Sequence, residues 1–138
     1  MLTDMELLRE FATRYAAAWC SQNAASVAAF FSPEGSLRIN DGAPSVGRGA
    51  ITKAAQDFMA AFPDMRVVMD DVRVKGNRIE FHWTLIGTNT GPGGTGHRVR
   101  ISGFESWQIG ADGLIAVSIG SFDGAEYQRQ LERGATTP

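Results

Sequence analysis

The apolar residues of this 138-residue chain change their period partway along. Up to Phe62 they recur every three or four positions; from Met65 onward they recur every second one. A period of 3.6 buries one stripe of a helix and a period of two buries one face of a strand, so the switch assigns helices to the first part and a sheet to the second. Helices followed by an antiparallel meander define an α+β fold. No internal repeat and no long linker interrupts residues 1–138, so a single domain is expected, with residues 134–138 lacking order.

The punctuation supports this order. Thr3 and Glu6 match a capping box, and Leu8, Phe11, Tyr15 and Trp19 form the stripe of a first helix over about residues 4–21. A second, short helix over 24–31 carries Val27, Phe30 and Phe31 and is stopped by Ser32-Pro33. GSLRIN alternates as a first strand, DGAPSVGRG reads as a loop, and AITKAAQDFMAAF is a third helix with Ile51, Ala54, Ala55, Phe58 and Phe62 on one stripe. Residues 65–74 form a strand that changes parity at Asp70-Asp71, which predicts a bulge there. Lys75-Gly76-Asn77 is a hairpin turn, and RIEFHWTLIGT sets Ile79, Phe81, Trp83 and Leu85 against Glu80, His82, Thr84 and Ile86. After a glycine-rich connection, two more strands and a short terminal helix opened by Asp123 complete the chain.

The strand VRISGFESWQI carries the most informative residue. Val99, Ile101, Gly103, Trp107 and Ile109 share a face, and Glu105 lies on that same face. A carboxylate on a dry face costs several kcal/mol, roughly 2–7 for an unpartnered polar group, unless it is paired, hydrogen-bonded or protonated. Either an arginine such as Arg38 or Arg66 pairs it, or the face lines a cavity in which the acid has work to do.

Composition excludes several classes of function. A net charge of −2 with scattered basic residues gives no nucleic-acid partner and no anionic membrane surface. Cys20 is the only cysteine, so neither an internal disulfide nor a cysteine-based metal site is expected, and two histidines without ligand spacing leave no metal site. The polar, acidic N-terminus is unlike a signal peptide, and no apolar run reaches membrane length, so a cytoplasmic location is expected.

Three strings carry a family resemblance. SVGRGAI at 45–51, GTNTGPGGTGHRVRISGFE at 87–105 and DGLIAVSIGSFD at 112–123 resemble the SnoaL-like polyketide cyclases and the related ester cyclases. Those proteins have the nuclear transport factor 2-like fold, a cone in which N-terminal helices pack on a curved, mostly antiparallel sheet and enclose a pocket. The resemblance implies a homodimer and a cofactor-free reaction on a small hydrophobic molecule. In the cyclases an Asp acid/base stands where this chain has Gly120, a His stands at Glu105, and the hairpin often carries His at Asn89. RYAAAWCSQN and GFESWQIGADGLI also resemble ketosteroid isomerase, in which a Tyr and a protonated acid hold a developing enolate; Tyr15 and Glu105 match those two, and Ile39 stands at the base.

The expected catalytic residues are therefore Glu105 and Tyr15, with Asp41 or His97 supplying a base, in an isomerase- or cyclase-type reaction. Phe11, Trp19, Phe58, Trp83, Asn89, Trp107 and Gly120 are expected to line the pocket, and GPGGTG to form a lid over it. A pocket that binds without catalysis is the alternative.

Overall fold

The computed structural model describes residues 4–135. Helix α1 (Met5–Cys20) is capped by Asp4, whose carboxylate accepts from the amides of Glu6 and Leu7. The expected cap, Thr3, lies outside the described residues. The stripe Leu8, Phe11, Tyr15 and Trp19 is buried as its spacing predicts. Helix α2 (Ala24–Ala28) is shorter than expected, and Phe31 already begins strand β1 (Phe31–Ile39). The X-Pro restriction at Ser32-Pro33 acts upstream as well as downstream and favours extended backbone. Residues 32–35 leave the ladder, which resumes at Ser36.

The segment read as a loop contains a two-residue strand, β2 (Ser45–Val46), paired with β1. Helix α3 (Arg48–Ala61) buries Ile51, Ala55 and Met59. Strand β3 (Arg66–Lys75) carries the expected bulge, with its register shifting between Met69 and Asp71. Strands β4 (Arg78–Thr88), β5 (Arg98–Ile109) and β6 (Ile115–Phe122) and helix α4 (Gly124–Arg133) follow. The sheet order is β2-β1-β6-β5-β4-β3, open at both ends, and β1 runs parallel to β6 while the other neighbours are antiparallel.

That parallel pair sets up the site. Ile39 aligns with Gly120, Gly120 with Glu105, Glu105 with Phe81 and Phe81 with Val72, so one rank of residues crosses five strands. The two positions at which the resembled enzymes carry a base are thus direct neighbours in the rank that holds Glu105.

Helix α4 takes over where β6 stops. The Arg100 amide, beyond the last β6 pair, donates to Gln130 Oε1 at 2.7 Å, and Ala135 N donates to the Arg98 carbonyl at 2.8 Å. Gly134 N donates to the Gln130 carbonyl, so Gly134 and Ala135 both have backbone partners; residues 136–138, the rest of the segment expected to lack order, lie outside the described residues. Among the described residues no helix is long and apolar enough to cross a membrane.

Candidate active site

Glu105 is 7% exposed, and among the described residues no arginine, lysine or histidine forms an ion pair with it. Three donors from three elements converge on its Oε1: the Tyr15 hydroxyl of α1 at 2.9 Å, the Trp107 indole N–H of β5 at 3.0 Å and the Ser118 hydroxyl of β6 at 2.7 Å. Oε2 has only a longer contact, 3.2 Å, with the same Tyr15 hydroxyl. One carboxylate oxygen is thus saturated while the other keeps most of its capacity.

Burial pushes the Glu105 carboxyl above the usual carboxylate range, and the bonds from Trp107, Ser118 and Tyr15 pull it back. Burial likewise raises the Tyr15 phenol well above its ordinary value, and the negative charge of Glu105 raises it further, so the phenol stays a donor. Buried carboxyls balanced between these opposing effects cluster at functional sites.

Glu105 is the one carboxyl on an apolar cavity between the sheet and the helices. Trp19 and Phe58 come from the helices, Leu37 and Ile39 from β1, Val67 from β3, and Phe81, Trp83 and Leu85 from β4. Ile101, Gly120, Phe122 and the α4 residue Tyr127 complete the lining. The cavity offers about 60 Å³ to a water-sized sphere and opens to solvent on one side. Gly120 keeps that space clear, since a Cβ there would stand 3.9 Å from Glu105 Cγ.

The cavity takes in four of the seven expected pocket residues, Trp19, Phe58, Trp83 and Gly120. Tyr15 meets Glu105 but stands behind it, fully buried against Phe30, Phe31, Phe81 and Trp107, so it touches the carboxyl and not the cavity. Trp107 is also behind the carboxyl, stacked on Phe81 with 5.1 Å between ring centroids. Phe11 packs edge-on against Phe30 and Trp107 and does not reach the cavity.

Asn89 is a clamp rather than a lining residue. Its Nδ2 donates to the Ala61 carbonyl and its Oδ1 accepts from Thr95 N. The glycine-rich connection is correspondingly no lid: a Cβ at Gly91 would stand 1.9 Å from the Ala60 carbonyl oxygen, so the segment is pressed onto the end of α3, away from the cavity lining. Asp41 and His97, the expected bases, are exposed and do not line the cavity: Asp41 lies with Arg38 and Asn40 in an adjoining polar depression that shares Gly120 and Phe122 with it, and His97 lies beside Gly134.

Sequence reasoning missed Ser118 and Tyr127. Ser118 follows the same parity as Gly120 and Phe122, a signal that was present; Tyr127 shares a helical stripe with Leu131, which says buried but not beside what.

Residues 12–118 match the SnoaL-like domain. The chain belongs to the SnoaL-like family. Solved structures with the same fold include a protein with a ketosteroid isomerase-like fold from Catenulispora acidiphila, in complex with trimethylamine (17% identity, 94% of this chain and 98% of that one, TM-score 0.78). TsrD from Streptomyces laurentii is similar at 23% identity over 93% of this chain and 96% of that one (TM-score 0.78). A protein described as a SnoaL-like polyketide cyclase from Jannaschia sp. is similar at 15% identity over 94% of each chain (TM-score 0.71). At these identities the likeness establishes the fold. A sequence comparison with curated proteins returns no match. Among the described residues no cluster of His, Cys, Asp and Glu could hold a metal ion.

Proposed function

We propose that this SnoaL-like protein is a cofactor-free isomerase- or cyclase-type enzyme that moves a proton beside the carbonyl of a small, largely apolar molecule, with Glu105 as the single acid/base. The observation that carries the reading is the division between the two oxygens of the cavity-lining Glu105: Oε1 is held by three donors, whereas Oε2 has only the longer contact with Tyr15. Oε2 takes a proton from the carbon next to the carbonyl, which leaves a neutral Glu105 beside an enolate. The same oxygen returns the proton to that carbon or to the conjugated position, and the ketone re-forms. A carboxyl raised by burial is a stronger base than one in water, and the donors on Oε1 keep its charged form accessible. Tyr15, Trp107 and Ser118 are positioning residues for that carboxyl.

The absence of a second proton-transfer group in the rank, with Ile39 and Gly120 at the two expected base positions, supports binding without turnover as the second reading. Exchange of the C2 protons of 1-tetralone in heavy water, followed by proton NMR, separates the two. Catalysis predicts faster exchange with the natural protein and a loss of about 10²–10⁴ in Glu105→Gln. Equal rates in the two proteins reject a catalytic Glu105, and binding with no exchange at any pH supports the second reading.

A homodimer formed through the sheet face away from the helices is part of the proposal. That face carries His82 stacked on Phe104 (5.5 Å between centroids), with Glu80 3.1 Å from the imidazole. Sedimentation showing only a monomer at high micromolar concentration rejects it.

A further inference from the structure

We infer that Tyr127 is a second anchoring point for the ligand, so that the cavity selects apolar molecules bearing an oxygen function at the end opposite the reacting carbonyl. The inference rests on the proposed binding of a carbonyl compound at Glu105 and extends it to the class of ligand. In a lining otherwise made of aliphatic and aromatic groups, Glu105 and Tyr127 are the only side chains with hydrogen-bonding oxygens. Tyr15, Trp107 and Ser118 spend their donors on Glu105, whereas the Tyr127 hydroxyl has no protein partner among the described residues and, since no buried polar atom there is left unsatisfied, reaches solvent. Its ring is nevertheless fixed, edge-on to Phe122 at 5.5 Å and tilted on Phe62 at 6.4 Å between centroids. A held ring with a free hydroxyl on a cavity wall is a preorganised donor. Partial burial raises this phenol above its ordinary value, which keeps it protonated.

The spacing follows from the ladder. Gly120 faces Glu105 and Phe122 faces Gly103, so Phe122 and the Tyr127 packed on it lie two residues, about 7 Å, farther along β6 toward α4. A ligand that reaches both groups has an apolar body about one to two rings long between its oxygens. A donor in a half-buried site contributes roughly 1 kcal/mol, which is about a fivefold preference in affinity.

Calorimetric titration of the full chain with 1-tetralone and with 6-hydroxy-1-tetralone tests this. The natural protein is expected to bind the hydroxylated ketone about fivefold more tightly than 1-tetralone, and Tyr127→Phe to bind the two ketones alike. An equal preference in Tyr127→Phe, or no preference in the natural protein, overturns the inference and leaves the Glu105 reading intact. Failure of both ketones to bind overturns the two together, and the C2 proton exchange of 1-tetralone reads Glu105 independently of Tyr127.

Discussion

Replacing Tyr15 with Phe removes one hydroxyl and keeps a ring that has five aromatic neighbours, Trp19, Phe30, Phe31, Phe81 and Trp107, at centroid distances of 5.2–6.4 Å. The substitution therefore isolates the hydrogen bond to Glu105 from the packing. Such a bond contributes about 1.5–3 kcal/mol to a charged partner and about 0.5–1.5 to a neutral one. Because burial raises the Glu105 carboxyl, the folded protein keeps a proton that the unfolded chain has already released, and stability falls as pH rises from the ordinary carboxylate value through the folded one. The Tyr15 hydroxyl favours the charged form and limits that fall; without it the window of falling stability extends to higher pH. With about 3 °C of melting temperature per kcal/mol for a chain of this size, the expected loss in Tyr15→Phe is roughly 2–5 °C at pH 4 and roughly 5–10 °C at pH 8. Differential scanning calorimetry across that range measures it, and the same substitution in a Glu105→Gln background is the control, where the loss should be constant. A loss that is flat with pH in the natural background, or equally pH-dependent in both, refutes the reasoning.

Other changes reach other parts of the same argument. Gly120→Ala places its Cβ 3.5 Å from the Arg38 carbonyl oxygen and 3.9 Å from Glu105 Cγ, ordinary contacts, so melting should move little while 1-tetralone affinity falls as the space beside the carboxyl fills. Gly91→Ala meets the Ala60 carbonyl oxygen at 1.9 Å and should cost about 1–3 kcal/mol in urea unfolding, with no effect on ligand affinity beyond the lost stability. In Arg129→Ala the Glu126 carboxyl, held at about 2 by Arg129 and Gln130, should titrate closer to its ordinary 4.5 by carbon NMR. An unmoved titration would assign the depression to Gln130 alone.

The period switch at Met65 and the parity change at Asp70-Asp71 were legible because both depend on local alternation, which the β3–β4 ladder preserves. Glu105 was legible for the same reason: it breaks a dry face. What local pattern cannot carry is who sits behind whom. Tyr15 and Trp19 lie on one helical stripe, yet one backs the carboxyl and the other lines the cavity, a difference set by the crossing of α1 over the sheet. The parallel partnership of β1 with β6 is likewise nonlocal, and it brings Ile39 beside Gly120, which faces Glu105 across the antiparallel β5–β6 pair. GPGGTG reads as a lid because glycine permits motion; here it permits close approach to α3.

Helix α4 has a double office. Through Gln130 and Ala135 it occupies backbone groups of β5 that β6 leaves unpaired, and through Tyr127 it forms part of the cavity wall. A motion that swings the helix aside to admit a bulky guest therefore also bares a strand margin able to recruit another chain. The seating of one short helix thus decides both how the cavity is walled and whether the amide of Arg100 and the carbonyl of Arg98 have partners.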